Sequence, residues 1–104
     1  MKTSMRPIAE AAKRASHALG IATSAQKSAA LSLAAASLRK SRSAILEASR
    51  AEVAAGRKAK LSAAMLDRLA LDEKRVESMA RAIEEIAAMP DPIGEVTATW
   101  RRPN

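Results

Sequence analysis

His17 is the single histidine and there is no cysteine, so a nucleophile–imidazole pair has one candidate base and no thiolate to activate. One histidine also rules out a His–His metal pair within these residues. Two carboxylate pairs, Asp72-Glu73 and Glu84-Glu85, are adjacent in sequence. Neighbours on a helix diverge by about 100°, so neither pair converges on a reacting atom. Glu73 and Glu77 do share a helical face, but Lys74 and Arg81 lie beside them, which reads as a salt-bridged surface. Gly20, Gly56 and Gly94 are too far apart to form a phosphate-cradling loop, and each reads as a helix stop or a turn. The eleven serines fall mostly at caps and polar faces, and none sits in a nucleophile-elbow pattern. The expectation is that no catalytic, cofactor-binding or metal-binding residue lies in this chain.

The elements that carry these residues follow from composition. Of 104 residues, 26 are alanine, Phe and Tyr are absent, and Trp100 is the only aromatic. Such a core is thin, since a buried Ala removes little apolar area from water. Strand-rich folds need β-branched and aromatic residues in quantity, whereas Ala, Leu, Arg, Lys and Glu favour helix. The fold class expected is mostly α: about five helices plus one carboxy-terminal β-strand.

Pro7 opens the first helix, Ile8, Ala11, Ala12, Ala15, Ala18 and Leu19 recur at helical spacing, and Gly20 is its expected stop. Ser24 is the expected cap of a second helix with Ala30, Leu31, Ala34, Ala35 and Leu38 on one stripe, ending in the basic cluster Arg39, Lys40 and Arg42. A third begins near Ser41 or Ser43 and closes at Gly56 with Arg57 and Lys58. Ser62 caps a short helix holding Met65, Leu66 and Leu69. Asp72 caps the best-patterned one, with Val76, Met79, Ala80, Ile83, Ile86 and Ala87 opposite its charged face. Met65, Met79 and Met89 read as gap-fillers in an Ala-rich interface. Pro90-Asp91-Pro92 ends that helix. Residues 93–100 then gather β-branched side chains and Trp100, and read as a strand whose backbone needs a partner the chain does not supply.

Charge is uneven. The net formal charge is +7, and residues 1–40 hold seven Lys and Arg against Glu10 alone. A small basic helical module binding nucleic acid or an anionic surface is therefore an alternative reading. Against it, no aromatic residue interleaves with these cations for base stacking. The first twenty residues also have the basic, amphipathic cast of a transit peptide, but Glu10 interrupts them and their pattern runs on into the next helix. No apolar run approaches the length that spans a bilayer.

One segment carries a resemblance. Leu61-Ser62-Ala63-Ala64-Met65-Leu66-Asp67-Arg68-Leu69-Ala70-Leu71 closely resembles the LSxAMLDRLxL stretch of the γ-glutamyl phosphate reductase (glutamate-5-semialdehyde dehydrogenase) family. Ile8 to Ala15 is similar to that family's opening helix. Ile45-Leu46-Glu47-Ala48-Ser49 resembles its IL-x-AN segment, with Ser49 where Asn is usual. Pro90-Asp91-Pro92-Ile93-Gly94-Glu95-Val96 is similar to its DPVG-x-V turn, and Trp100 to Asn104 to its W-x-RPN tail.

The resemblance covers essentially the whole chain. It implies part of an α/β, aldehyde-dehydrogenase-like fold in a cytoplasmic, homo-oligomeric parent. That parent reduces γ-glutamyl phosphate to glutamate 5-semialdehyde with NADPH, on the way to proline, through a cysteine thioester. Family members are several times longer, and their catalytic cysteine and dinucleotide site lie beyond this segment. On this reading residues 1–92 are the helical amino-terminal part of the cofactor-binding domain. Residues 93–104 are the first strand of a truncated oligomerisation hairpin. The chain would be inactive alone and bind no NADPH by itself. Its partners would be the remainder of the parent or another subunit, met through the strand Ile93 to Arg101, with no membrane and no nucleic acid. A stand-alone product of a truncated gene, kept as a helical oligomer or interaction partner, is a third reading.

Overall fold

Apolar side chains at helical spacing and polar caps produce five helices in the computed structural model, which describes residues 4–103. They are α1 (Arg6–Ile21), α2 (Ser24–Lys40), α3 (Arg42–Lys58), α4 (Ala63–Leu69) and α5 (Glu73–Ala87). Two compact units share them: one of residues up to Lys27 together with those from Pro90 onward, the other Ser28–Met89.

Within Ser28–Met89, α3 packs against α4 and α5. The helix α3 closes at Lys58, within the stretch the sequence pattern marked, but Gly56 is not its stop and lies buried inside it. A Cβ there would meet Leu66 Cδ2 at 3.0 Å and Leu61 Cδ1 at 3.1 Å, so this glycine is a close-packing position. The helix ends two residues later at Lys58, with Ala59 as its cap, and the next residue, Lys60, has a left-handed φ of 61°. Lys60 N–H donates to Arg57 O and Leu61 N–H to Gly56 O, the paired bonds of a Schellman ending. Ser62 then caps α4, accepting from Met65 N–H at 3.2 Å, and Asp72 caps α5, accepting from Arg75 N–H at 2.7 Å, both as the sequence indicated.

The core of this unit is small. Ala35, Val76 and Ala80 are fully enclosed, and Val76 is the largest side chain so placed. The one buried polar side chain among the described residues, Ser49, accepts Leu71 N–H at 2.8 Å, so α3 holds the connection between α4 and α5 in place.

In the other unit, α1 buries nothing, and its apolar stripe is exposed from Ile8 to Leu19. Gly20 does not stop α1 either, which runs on to Ile21 and ends with Ala22 extended. The cap of α2 is Thr23, not Ser24: Thr23 Oγ1 accepts Gln26 N–H at 3.1 Å while Gln26 Oε1 accepts Thr23 N–H at 2.9 Å. This is a capping box, and it leaves Ser24 as the first residue inside the helix.

The carboxy-terminal strand expected over 93–101 is absent, and no strand occurs among the described residues. Pro92 to Glu95 instead forms a turn closed by Glu95 N–H to Pro92 O at 3.1 Å, with Gly94 at φ 85°. That φ at the third turn position favours glycine. Beyond the turn, Val96 and Trp100 are 72% and 83% exposed. Strand propensity fixes no strand without a second one to take up its amides and carbonyls, and no segment among the described residues does so.

Candidate functional site

The residues that looked chemically able are dispersed. His17 is exposed on α1. Asp72 is used as a cap, and Glu73 sits in the first turn of α5, where the helix dipole favours it. No group of three or more metal-capable side chains occurs among the described residues.

Instead, α5 carboxylates converge on an arginine from α2. Arg39 Nη2 donates to Glu77 Oε1 at 3.0 Å and to Glu84 Oε1 at 2.6 Å, and Nε donates to Glu77 Oε2 at 3.1 Å. Arg81 approaches Glu77 at 3.5 Å. The Arg39 hydrogen bonds hold both glutamates below the ordinary value of 4.5, against a smaller opposing effect of desolvation. The same bonds push Arg39 upward. A salt-bridged face on α5 was legible in the sequence; its principal cation was not. Arg39 comes from a separate helix and, read locally, is simply a cation in a last turn.

A second cluster lies in the other unit. Asp91 Oδ2 accepts from Lys27 Nζ at 2.8 Å and Ser24 Oγ at 3.1 Å, while Oδ1 accepts Ile93 N–H at 3.0 Å. The Lys27 hydrogen bond, then the Ile93 amide, holds this carboxyl below its usual range. Asp91 thus ties the start of α2 to the turn after Pro90. With Arg6 paired to Glu10 at 2.8 Å, three of the seven cations in residues 1–40 are already matched within the chain, which weakens the basic stripe.

Several residues of the segment Leu61–Leu71 have packing or capping roles. Leu61 and Leu66 close over Gly56, and Ser62 caps α4. Asp67 Oδ1 accepts from Arg75 Nη2 at 3.0 Å, and Arg75 Nη1 donates to the carbonyls of Asp67 and Ala70, satisfying the end of α4. These residues organise helices.

The space beside Gly56 is filled by leucine methyls, Gly94 serves the turn, and Gly20 lies inside α1. No glycine-lined cradle for a pyrophosphate exists among the described residues.

What the chain does present is apolar surface. Met5, Ile8, Leu19, Ile21, Ile93, Val96 and Trp100 are exposed in one unit, and Leu33, Met65, Ile86 and Met89 in the other. A groove of about 500 Å³ between α2, α3 and α5 is lined by Ala34, Leu38, Ile45 and Ile83 with Ser37 and Ser41. No helix among the described residues is long and apolar enough to cross a membrane.

No family model matches the chain, and no solved structure matches it. Curated proteins do. Over 100 residues, 96% of the chain, it is 55% identical to a γ-glutamyl phosphate reductase of Anaeromyxobacter sp. (strain Fw109-5), covering 23% of that protein. Over the same share it is 49% identical to the γ-glutamyl phosphate reductase of Geobacter sp. (strain M21) and 45% identical to that of Brucella suis biovar 1 (strain 1330), covering 24% of each. The chain spans about a quarter of the length of these relatives.

Proposed function

We propose that this chain, a homologue of the γ-glutamyl phosphate reductases over nearly all its length, is the amino-terminal helical piece of such a reductase. The activity it serves is NADPH-dependent conversion of γ-glutamyl phosphate to glutamate 5-semialdehyde for proline synthesis, in the cytoplasm. The observation that carries this reading is 55% identity across 96% of the chain.

The chain's part is architectural. With no cysteine it forms no thioester, and its glycines form no cradle for a dinucleotide among the described residues. Residues 1–92 form the helical part of the cofactor-binding domain, and residues 93–104 are one arm of an oligomerisation hairpin. The exposed segment Ile93 to Arg101 becomes a strand only when the remainder of the enzyme or another subunit supplies the pairing edge. A thin Ala-rich core with large apolar side chains left outside is what a layer covering a larger domain requires.

Replacing the aligned 100 residues of the Anaeromyxobacter reductase by this chain tests the reading directly. The hybrid should turn over glutamate 5-semialdehyde, phosphate and NADP⁺ within about ten-fold of the parent, which is about 1.4 kcal/mol in the barrier. The isolated chain should show no turnover. A folded hybrid with no activity would sink the proposal.

A further inference from the structure

Arg50, Val53 and Arg57 stand at i, i+3 and i+7 on α3 and so share one face of it. Together with Ser49, Ala70 and Leu71 they line an open pocket of about 330 Å³ within the Ser28–Met89 unit. Its volume falls in the range of small-molecule sites.

The two guanidinium groups are set apart by lining one pocket together, not by lacking partners, since Arg42 and Arg68 of the same unit also pair with no carboxylate among the described residues. Arg39, Arg75 and Arg81 of the same unit are each within 3.5 Å of a carboxylate. Arg50 and Arg57 have no such partner among the described residues, although Glu47 and Glu52 lie on the same helix. The pocket also takes in Ser49, only 4% exposed. Its Oγ accepts the Leu71 amide at 2.8 Å, which leaves the hydroxyl proton as a donor. Seven residues of helix separate the two arginine Cα atoms by about 10 Å along the axis, with the apolar Val53 side chain between them.

We propose that this pocket binds a small molecule with two oxyanion groups joined by a short neutral spacer, such as a dicarboxylate. One oxyanion pairs with each guanidinium, and the spacer lies over Val53. Arginine suits the task because its planar fork grips a carboxylate through two parallel N–H bonds. The inference is independent of the reductase reading, since it uses only side chains of one unit of this chain.

The test is a titration of the isotopically labelled chain, followed by nuclear magnetic resonance at constant ionic strength. Glutarate is the probe and acetate the single-oxyanion control. Glutarate should displace the Leu71 amide signal and the Arg50 and Arg57 side-chain N–H signals saturably. Acetate should bind at least about ten-fold more weakly, as expected when one charge-assisted pair is lost. Arg50→Gln and Arg57→Gln should each weaken glutarate to about the acetate level while leaving the helical circular dichroism unchanged. Arg57→Lys keeps the charge but loses the fork, and should fall between. No saturable displacement at Leu71, equal affinity for glutarate and acetate, or full affinity in both glutamine variants would each overturn the proposal.

Discussion

Three leucine methyls converge on Gly56: Leu66 Cδ2 at 3.0 Å, Leu61 Cδ1 at 3.1 Å and Leu69 Cδ2 at 3.5 Å from where a Cβ would stand. Pushing one aside presses it against the others, so a small residue here is a condition of α4 lying close on α3. Gly56→Val adds a branched side chain to that contact and should cost about 2 kcal/mol, within the usual range for overpacking, read from the urea midpoint of the helical signal. Gly56→Ala should stay within about 1 kcal/mol of the parent, because its gain in helix propensity offsets much of the crowding. Ser49 is the second such position. Ser49→Ala removes the acceptor of a part-buried Leu71 amide and should cost about 1–2 kcal/mol. Neither role was visible in the sequence. A glycine between helical residues reads as a stop, and a serine on a helix reads as surface, until the segment that packs on them is known. The resemblance at Ile45–Ser49 marked the place without giving the reason.

At the scale of elements, what the sequence made legible was what side chains decide locally. The caps Ser62 and Asp72 are set by neighbours within four residues and stand where the pattern put them, while of the α5 stripe Val76 and Ala80 are buried and Met79 and Ile86 are exposed. Asp72→Ala should therefore lower stability by about 1 kcal/mol through loss of the bond to Arg75 N–H. The cap of α2 was missed by one residue although Thr23 and Gln26 have the spacing of a capping box. Ser24 is itself a good cap residue and masked the better one. The end of α3 stands at Lys58, within the closing stretch of residues 56–58, but the residue that stops it was misread. The left-handed position is occupied by Lys60, a residue with no preference for it, rather than by the glycine upstream. Lys60→Gly should raise stability by about 1 kcal/mol by relieving the left-handed penalty while keeping both Schellman bonds. A destabilised variant would show that the Lys60 side chain makes a contribution larger than its backbone cost. The missing strand is a different kind of error. Residues 93–101 have the composition of a strand, and composition cannot provide the other half of a ladder.

At the scale of the whole molecule, long-range ion pairs supplement a core in which Val76 is the largest enclosed side chain. Glu77 and Glu84 are two turns apart on α5, and Arg39 reaches both, so one guanidinium joins α2 to α5 at two levels. Asp91 serves the other unit in the same way through Lys27 and Ser24. All three carboxyls are held below their ordinary values by these partners. Each therefore stabilises the folded chain while its unfolded counterpart is also ionised, and this contribution is lost as the pH falls through the lowered folded values. The urea midpoint should be nearly flat from about pH 7 to about pH 5 and fall below the ordinary glutamate value of 4.5. Arg39→Gln separates this from general acid swelling. The variant should be less stable than the parent near neutrality, and the gap should close at acid pH once Glu77 and Glu84 are protonated in both. An Arg39→Gln gap that stays constant down to about pH 3 would assign the role of Arg39 to the packing of its aliphatic stem rather than to its charge.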